Sequence, residues 1–483
     1  MQTQLIIGNR ARDARGGRTF ERRHPLTGDL VTTGAAANVD DAIDAVESAA
    51  EAFPSWSATG PSERRRIMLA AADIMERRAP EFVEAMMSEV GAAEAWAAVH
   101  AFGAANLFRE AAGLTTQVQG ETLPTDKPGT LSMTVRQPAG VVLSMAPWNG
   151  AGVLAARAIA YPIVCGNTVV FRASETSPRT HAIVAEALHE ARLPAGVLNF
   201  LTSATDDSEQ VVGAIIAHPA VRRVNFTGST AVGRIIAEKA ARHLKPVLLE
   251  LGGKSPFVVL DDADIDDAVR AAVVGAFLYQ GQICMSTERF VVDEQVGDAF
   301  VAEFASRAQK VPAGDPLTDP ACVVGPLIRA ESGPRINRLI DDALSKGAVL
   351  AVGGHAHGAA MPPTILDKVR PGMDIYDQET FGPITTIVRV TGVDEAVRVA
   401  NDTEYGLAAA VFGRDSTRAL QVAMRIQAGQ VHVNGSTVQN EAQAPFGGMK
   451  ASGYGRFDGR AVINEFTDLK WVTLEPSDQP YPF

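Results

Sequence analysis

Val221-Arg222-Arg223-Val224-Asn225-Phe226-Thr227-Gly228-Ser229-Thr230-Ala231-Val232-Gly233 predicts a strand that ends in a glycine turn and opens directly into a helix. Main-chain N–H groups and the Ser229 hydroxyl at such a helix start favour a pyrophosphate, which makes Gly228, Ser229 and Gly233 candidate cofactor-binding residues. Outward from this turn the same rhythm repeats. Short apolar runs near 141–145, 168–171, 197–201 and 247–249 alternate with amphipathic stretches. That alternation predicts an α/β fold, a Rossmann-type parallel sheet with helices on both faces, doubly wound around a nucleotide site. No GxGxxG occurs, and Gly453-Tyr454-Gly455-Arg456 has too few residues after it to build a βαβ unit.

Before the sheet, three- and four-residue apolar spacing predicts helices over 40–53, 62–78 and 80–99. After it, apolar runs near 255–260, 289–292, 385–390 and 430–433 predict a second α/β block. Two alternating segments, 130–136 and 466–474, lie outside both blocks and could pair as a small sheet. An exposed edge of that kind is usually covered, so a partner subunit is expected there.

Composition narrows the function. Forty-four Lys plus Arg against 56 Asp plus Glu give a net charge of −12, which disfavours nucleic acid and anionic membranes as partners. Arg22-Arg23 and Arg64-Arg65-Arg66 are the dense basic runs, and they read as solvated faces. Apolar runs such as 271–278 fall short of the roughly 18 residues that span a bilayer. Three cysteines, with no signal-peptide pattern at the start, suggest a reducing, cytoplasmic setting in which a catalytic thiol is possible. His355-Ala356-His357 lacks Cys or acidic companions at ligand spacing, so no metal site is expected.

Cys165, inside an apolar run, reads as a buried structural thiol. Cys284 differs: Gly281 precedes it and Ser286 and Thr287 follow, a small polar turn that leaves the sulfur reachable as a nucleophile. Glu250 ends an apolar strand just before Gly252-Gly253, where partial desolvation would tune it toward a general base; a local cap or bridge is the alternative. Asn149, in Pro147-Trp148-Asn149 after the first strand, either donates its amide N–H to an oxyanion or caps the next helix. In Phe171-Arg172-Ala173-Ser174-Glu175, a carboxylate closing the second strand can accept both hydroxyls of an adenosine ribose.

Together with Gln280-Gly281-Gln282-Ile283-Cys284, Leu249-Glu250-Leu251-Gly252-Gly253-Lys254, Glu379-Thr380-Phe381-Gly382-Pro383 and Pro445-Phe446-Gly447-Gly448, these motifs resemble, in order and nearly end to end, the NAD(P)-dependent aldehyde dehydrogenase superfamily. Through 147–162, 280–288 and 432–445 the chain is similar to its bacterial salicylaldehyde and vanillin dehydrogenase branch. The resemblance implies an NAD-binding domain from 1–118 and 139–250, a catalytic domain from 251–450, and an oligomerisation segment from 119–138 and 451–483, in a homodimer or homotetramer. It implies attack by Cys284 on an aldehyde, an oxyanion held by Asn149 and the Cys284 N–H, and hydrolysis of the thioester by water that Glu250 activates. Trp148, Arg172, Ser174, Glu175, Gly228, Ser229, Gly233, Leu251, Glu379 and Phe381 would line the path of NAD. Lys254 would be structural.

Arg172 stands where the family usually has Lys, and its fork could embrace a 2′-phosphate, so NADP is possible, whereas Glu175 would repel that phosphate. For the substrate, Arg157 lies eight residues past Asn149 on roughly the same helix face, and could bond a phenolic or methoxy oxygen or else pair with a nearby Glu. Trp96, Tyr279 and Gly150 would form an aromatic slot. The alternatives are an acyl transfer to coenzyme A, against which Glu250 argues, an aliphatic or semialdehyde substrate, and a non-catalytic protein, against which Cys284 and Glu250 both argue.

Overall fold

The computed structural model describes residues 1–477 and 481; the last part of the expected oligomerisation segment, 478–480 and 482–483, lies outside the described residues. Five strands, Val247–Glu250, Val221–Thr227, Val141–Met145, Thr168–Arg172 and Leu198–Leu201, run parallel in that spatial order. The chain starts at Val141–Met145, winds outward through two strands, then returns to the other side of its start. The switch point therefore lies between Val141–Met145 and Val221–Thr227, and ligands of such sheets bind beyond the carboxyl ends there. Pro147-Trp148-Asn149, Gly228-Ser229 and Glu250 all follow or close strand ends at that point.

Three antiparallel additions were not legible in the sequence. On one side Leu5–Ile7 pairs with Leu198–Leu201 and carries Arg10–Arg12 at the edge, and Gly453–Tyr454 pairs with Val247–Glu250 at the other edge. The Gly453-Tyr454-Gly455 stretch is thus an edge strand, in register with Leu249 and Glu250.

The second block forms a seven-stranded sheet in the order Val349–Val352, Thr364–Asp367, Ile384–Val390, Thr287–Asp293, Ser255–Val259, Ala408–Phe412 and Gln430–Val433. All but the first of these strands run parallel to their neighbours. The amino ends of its central strands follow Cys284, Gly252-Gly253 and Glu379–Phe381. Carboxyl ends of one sheet thus meet amino ends of the other. The expected small sheet forms from Thr467–Leu474 against Leu131–Pro138, with Thr122–Leu123 beyond.

The helical layer differs from expectation in one place. The predicted helix 80–99 is two helices, Ala79–Val90 and Glu94–Leu114, because Gly91 adopts φ 65° and ends the first. Asn38 and Asp41 close the helix Val39–Ser57 with a reciprocal capping box. Arg64 is not on a solvated face. It is buried, and its guanidinium donates to the carbonyls of Trp56, Ser57 and Val164, at the carboxyl ends of two helices. Arg22 likewise turns inward, donating from Nε to the Glu89 carbonyl.

Helices Glu94–Leu114 and Ala151–Val164 approach closely through glycine. A Cβ at Gly152 would lie 2.4 Å from the His100 carbonyl oxygen, and one at Gly103 would lie 2.6 Å from Val153 Cγ2. This contact sets the position of Trp96 and His100 over the start of the second helix. Gly152→Ala should accordingly destabilise the protein by about 1–3 kcal/mol, because backbone must move to admit the methyl group. Urea denaturation followed by far-UV circular dichroism measures it, and an unchanged midpoint would show that the two helices separate freely.

Candidate active site

Cys284 follows a run of left-handed backbone: Tyr279, Gln280 and Gly281 have φ of 49°, 45° and 66°. Two of these are not glycine, so the turn is held by its surroundings. The Gln280 amide donates to the Pro326 carbonyl and accepts from Gly325 N, and a Cβ at Gly281 would lie 2.2 Å from the Gly382 carbonyl oxygen. The result presents a half-buried Cys284 to two cavities at once. Burial, and then the neighbouring Glu250, push its thiol well above the ordinary range, so the sulfur rests protonated. Cys165 and Cys322 are buried structural thiols; burial raises Cys165 to about 12.

Glu250 is buried at the end of its strand, and among the described residues its carboxylate has no hydrogen-bond partner besides the neighbouring Cys284 thiol. Burial raises its pKa to about 7, against the pull of Arg157 and the Cys284 thiol. Of the two readings open from sequence, the local cap is absent and the desolvated carboxylate is what the fold builds. Asn149 does not cap the next helix: Gly150 occupies that position. Its Nδ2 donates to the Gln282 carbonyl at 3.0 Å, which turns the amide toward the Cys284 loop. Among the described residues the main-chain N–H of Cys284 has no hydrogen-bond acceptor.

One cavity, of about 400 Å³, runs from Cys284 and Glu250 past Pro147, Trp148, Gly228, Ser229, Leu251, Glu379 and Phe381. Gly228 lies directly over the Phe226 ring, and a Cβ there would be 2.4 Å from it. Gly233 gives Leu251 its place, since a Cβ would meet Leu251 Cδ2 at 2.5 Å. Ser229 caps the helix Thr230–Ala241, with its Oγ accepting from Val232 N. Glu379 accepts from Gly253 N at 2.9 Å; burial and the nearby Glu288 raise it to about 8. Phe381 meets Trp148 edge to face at 5.9 Å.

Lys254 is structural, as expected. Buried, it reaches Glu288 at 2.8 Å and the Gln378 carbonyl at 2.7 Å. Glu288 in turn accepts from Thr380 N and Phe381 N, so the pair clamps the Glu379–Phe381 loop. Arg172, Ser174 and Glu175 close the neighbouring strand outside this cavity's lining. Arg172 pairs with Glu175 at 2.9 Å and donates to Ser203 and Ser208, while Ser174 Oγ accepts from Thr176 N.

The other cavity, of about 820 Å³, is lined by Trp96, His100, Gly150, Leu154, Arg157, Ile283, Cys284, Val438, Asn440 and Phe446. Trp96 anchors by donating from Nε1 to the Asn149 carbonyl at 3.2 Å. Gly150 is required here, because a Cβ would lie 2.9 Å from Leu154 Cδ1 and 3.0 Å from His100 Cε1. Tyr279 does not line the slot. It is fully buried and stacks behind Trp96 at 5.2 Å, since the left-handed turn rotates it inward. Arg157 reaches the wall but, among the described residues, pairs with Asp458 and not with a Glu. Its Nε and Nη2 donate to Asp458 at 3.1 and 2.6 Å, Nη2 donates to Asn440 at 2.9 Å, and the guanidinium stacks on Phe446 at 4.2 Å.

Asp458, Asn440 and His100 were missed in the sequence. Asp458 and Asn440 follow Arg157 by 301 and 283 residues, a separation with no local signal. His100 had one, standing a helical turn after Trp96. The His355 pair sits in a loop, with His355 bonded to Asp341, and no metal-binding cluster occurs among the described residues.

The aldehyde dehydrogenase family profile matches residues 12–472. Over the full length of both chains the sequence is 60% identical to the salicylaldehyde dehydrogenase of Pseudomonas sp. strain C18. It is 52% identical to the vanillin dehydrogenase of Pseudomonas fluorescens, again covering 100% of each. The fold superposes on the crystal structure of a salicylaldehyde dehydrogenase from Pseudomonas putida G7 complexed with salicylaldehyde, with a TM-score of 0.99, 59% identity and full coverage of both chains. With the thiol, the buried carboxylate and the glycine turn gathered at the switch point, the chain belongs to the aldehyde dehydrogenase family.

Proposed function

We propose that this enzyme oxidises an aromatic aldehyde of the salicylaldehyde, vanillin or benzaldehyde type to its carboxylic acid, with NAD as the hydride acceptor. The observation that carries the substrate reading is the larger cavity, which ends at Cys284 between Trp96, Leu154, Ile283, Val438 and Phe446. Flat aromatic faces fit apolar walls of this kind. The names of the similar proteins point the same way.

The family is NAD(P)-dependent, and the smaller cavity fits such a cofactor. Bare glycine at Gly228 and the start of the helix Thr230–Ala241 suit a pyrophosphate, Glu379 a ribose, and Phe381 with Trp148 the nicotinamide end. The cofactor, when bound, supplies the acceptor for the hydride that leaves the aldehyde carbon. Glu175, paired with Arg172 at the ribose end, favours NAD over NADP.

Glu250 takes the proton of Cys284 as sulfur bonds to the carbonyl carbon. The oxyanion is met by the Asn149 amide and the free Cys284 N–H. Loss of hydride leaves a thioester on Cys284; Glu250 first gives up to solvent the proton it took from the thiol, then takes one from the water that cleaves the thioester and returns it to the departing sulfur, releasing the acid and restoring the thiol. Arg157 offers the guanidinium nitrogen Nη1, unclaimed by Asp458 and Asn440, to an oxygen on the ring.

Residues 1–118 and 139–250 serve the cofactor, 251–450 bring Cys284, and 119–138 with 451–483 serve assembly, apart from Gly453–Tyr454, which extends the first sheet, and Asp458, which holds Arg157. Leu469, Trp471 and Leu474 stand exposed on the small sheet, which supports a homodimer or homotetramer that covers them. No described helix is long and apolar enough to cross a membrane.

NADH release measured with salicylaldehyde, vanillin, benzaldehyde and short aliphatic aldehydes tests the substrate class. Higher kcat/KM for the aromatics is expected, and an aliphatic preference would overturn the reading. Because Glu250 must be ionised to act and titrates near 7, kcat should rise with pH up to about 7 and level off above it. Glu250→Gln should lower turnover by about 10²- to 10⁴-fold. Where acylation still proceeds, intact-protein mass spectrometry should find an acyl group on Cys284. Glu175→Gln should raise the NADP-to-NAD ratio of kcat/KM by about 10-fold, since it removes the charge that repels a 2′-phosphate. An unchanged ratio would assign that selectivity elsewhere.

A further inference from the structure

We propose that His100 is a specificity-determining residue whose Nε2–H donates to an oxygen on the ring of the bound aldehyde; the inference rests on the aromatic-aldehyde reading above. His100 lies in the helix Glu94–Leu114 and lines the substrate cavity with Trp96, Gly150, Arg157 and Cys284. Its ring meets the edge of Trp96 at 4.5 Å.

The tautomer follows from the main chain. Val153 N, in the first turn of the helix Ala151–Val164, donates to His100 Nδ1 at 3.3 Å. First-turn N–H groups have no acceptor within their own helix, so the imidazole fills that role. A nitrogen that accepts carries no proton, and in a neutral ring the proton then sits on Nε2. The Gly150 carbonyl, the other main-chain group beside the ring, already accepts from Leu154 N at 2.8 Å. Burial, and the nearby Arg157 cation, hold the ring neutral, with its pKa near 3.

Among the described residues the His100 ring is in hydrogen-bond geometry with Val153 N alone, and the Gly150 carbonyl is the main-chain acceptor beside it. The cavity therefore contains a neutral, fixed N–H donor beside Trp96, Gly150 and Leu154, distinct from the Arg157 guanidinium. A site with such a donor discriminates against ligands that leave it unpaired. Aldehydes carrying a ring oxygen in reach of it gain over isosteric ones without.

The test compares benzaldehyde with its 2-, 3- and 4-hydroxy and 2-, 3- and 4-methyl derivatives. In the wild type, at least one hydroxy isomer should exceed its methyl counterpart in kcat/KM. His100→Asn keeps an amide near Nδ1 but loses the reach of Nε2, and should reduce that preference by about 3- to 10-fold. His100→Gln places an amide nitrogen near Nε2 and should retain most of it. Thermal melts establish that each variant is folded. No hydroxy preference in the wild type overturns the proposal, as does an undiminished preference in His100→Asn. An equal loss in His100→Gln also overturns it, by assigning the effect to the Val153 contact. A wild type that oxidises none of these seven aldehydes overturns the aromatic-substrate reading itself.

Discussion

A carboxylate that is to act as a base near neutral pH must be kept dry, and the placement of Glu250 meets that constraint. In water such a group titrates near 4.5; here it titrates near 7, because burial outweighs the pull of Arg157 and the Cys284 thiol. The shift corresponds to about 3 kcal/mol of preference for the protonated form. Its sign matters for stability: folding is favoured below about pH 4.5 relative to above 7, and the penalty appears as pH rises between them. The rest of the fold carries that penalty. Val247–Glu250 is pinned between Val221–Thr227 and Gly453–Tyr454, in register at Glu250 itself, so the side chain cannot swing out to water.

What surrounds Glu250 is arranged to keep the pocket dry without leaving an unbalanced charge. Arg157 is the buried cation acting on both Glu250 and Cys284, and its own charge is met by Asp458. Breaking such a pair by removing one partner leaves an uncompensated buried charge, so Arg157 serves the fold as well as the cavity. His100, neutral and fixed by Val153 N, adds polarity there without adding charge. Gly252 and Gly253 let the linker after Glu250 pass the Glu379 carboxylate and the Cys284 carbonyl, which Cβ atoms would meet at 2.6 and 2.5 Å.

Much of this was legible where the signal is local. The strand-turn-helix at Val221–Gly233 and the small turn around Cys284 declare themselves within a few residues, because the geometry they need is set by neighbouring residue types. The helix broken at Gly91, the two- and three-residue edge strands and the inward Arg64 escaped notice for a physical reason. A single left-handed glycine, a strand shorter than one period of alternation and an arginine whose acceptors are distant helix ends leave no periodic trace. Tyr279 was placed in the slot because aromatic character is visible in sequence, whereas the left-handed φ that turns it behind Trp96 is not.

Residue identity and local periodicity alone determined that this chain carries a thiol nucleophile, a carboxylate and a dinucleotide turn on a doubly wound α/β framework. Only the tertiary structure decided that Glu250 is buried beside the Cys284 thiol, that Arg157 is held by Asp458 301 residues away, and which nitrogen of His100 carries its proton. Chemical functionality belongs to single side chains and travels with the sequence. Desolvation and hydrogen-bond partnership arise from groups brought together across the whole chain, and exist only once both sheets meet around Cys284.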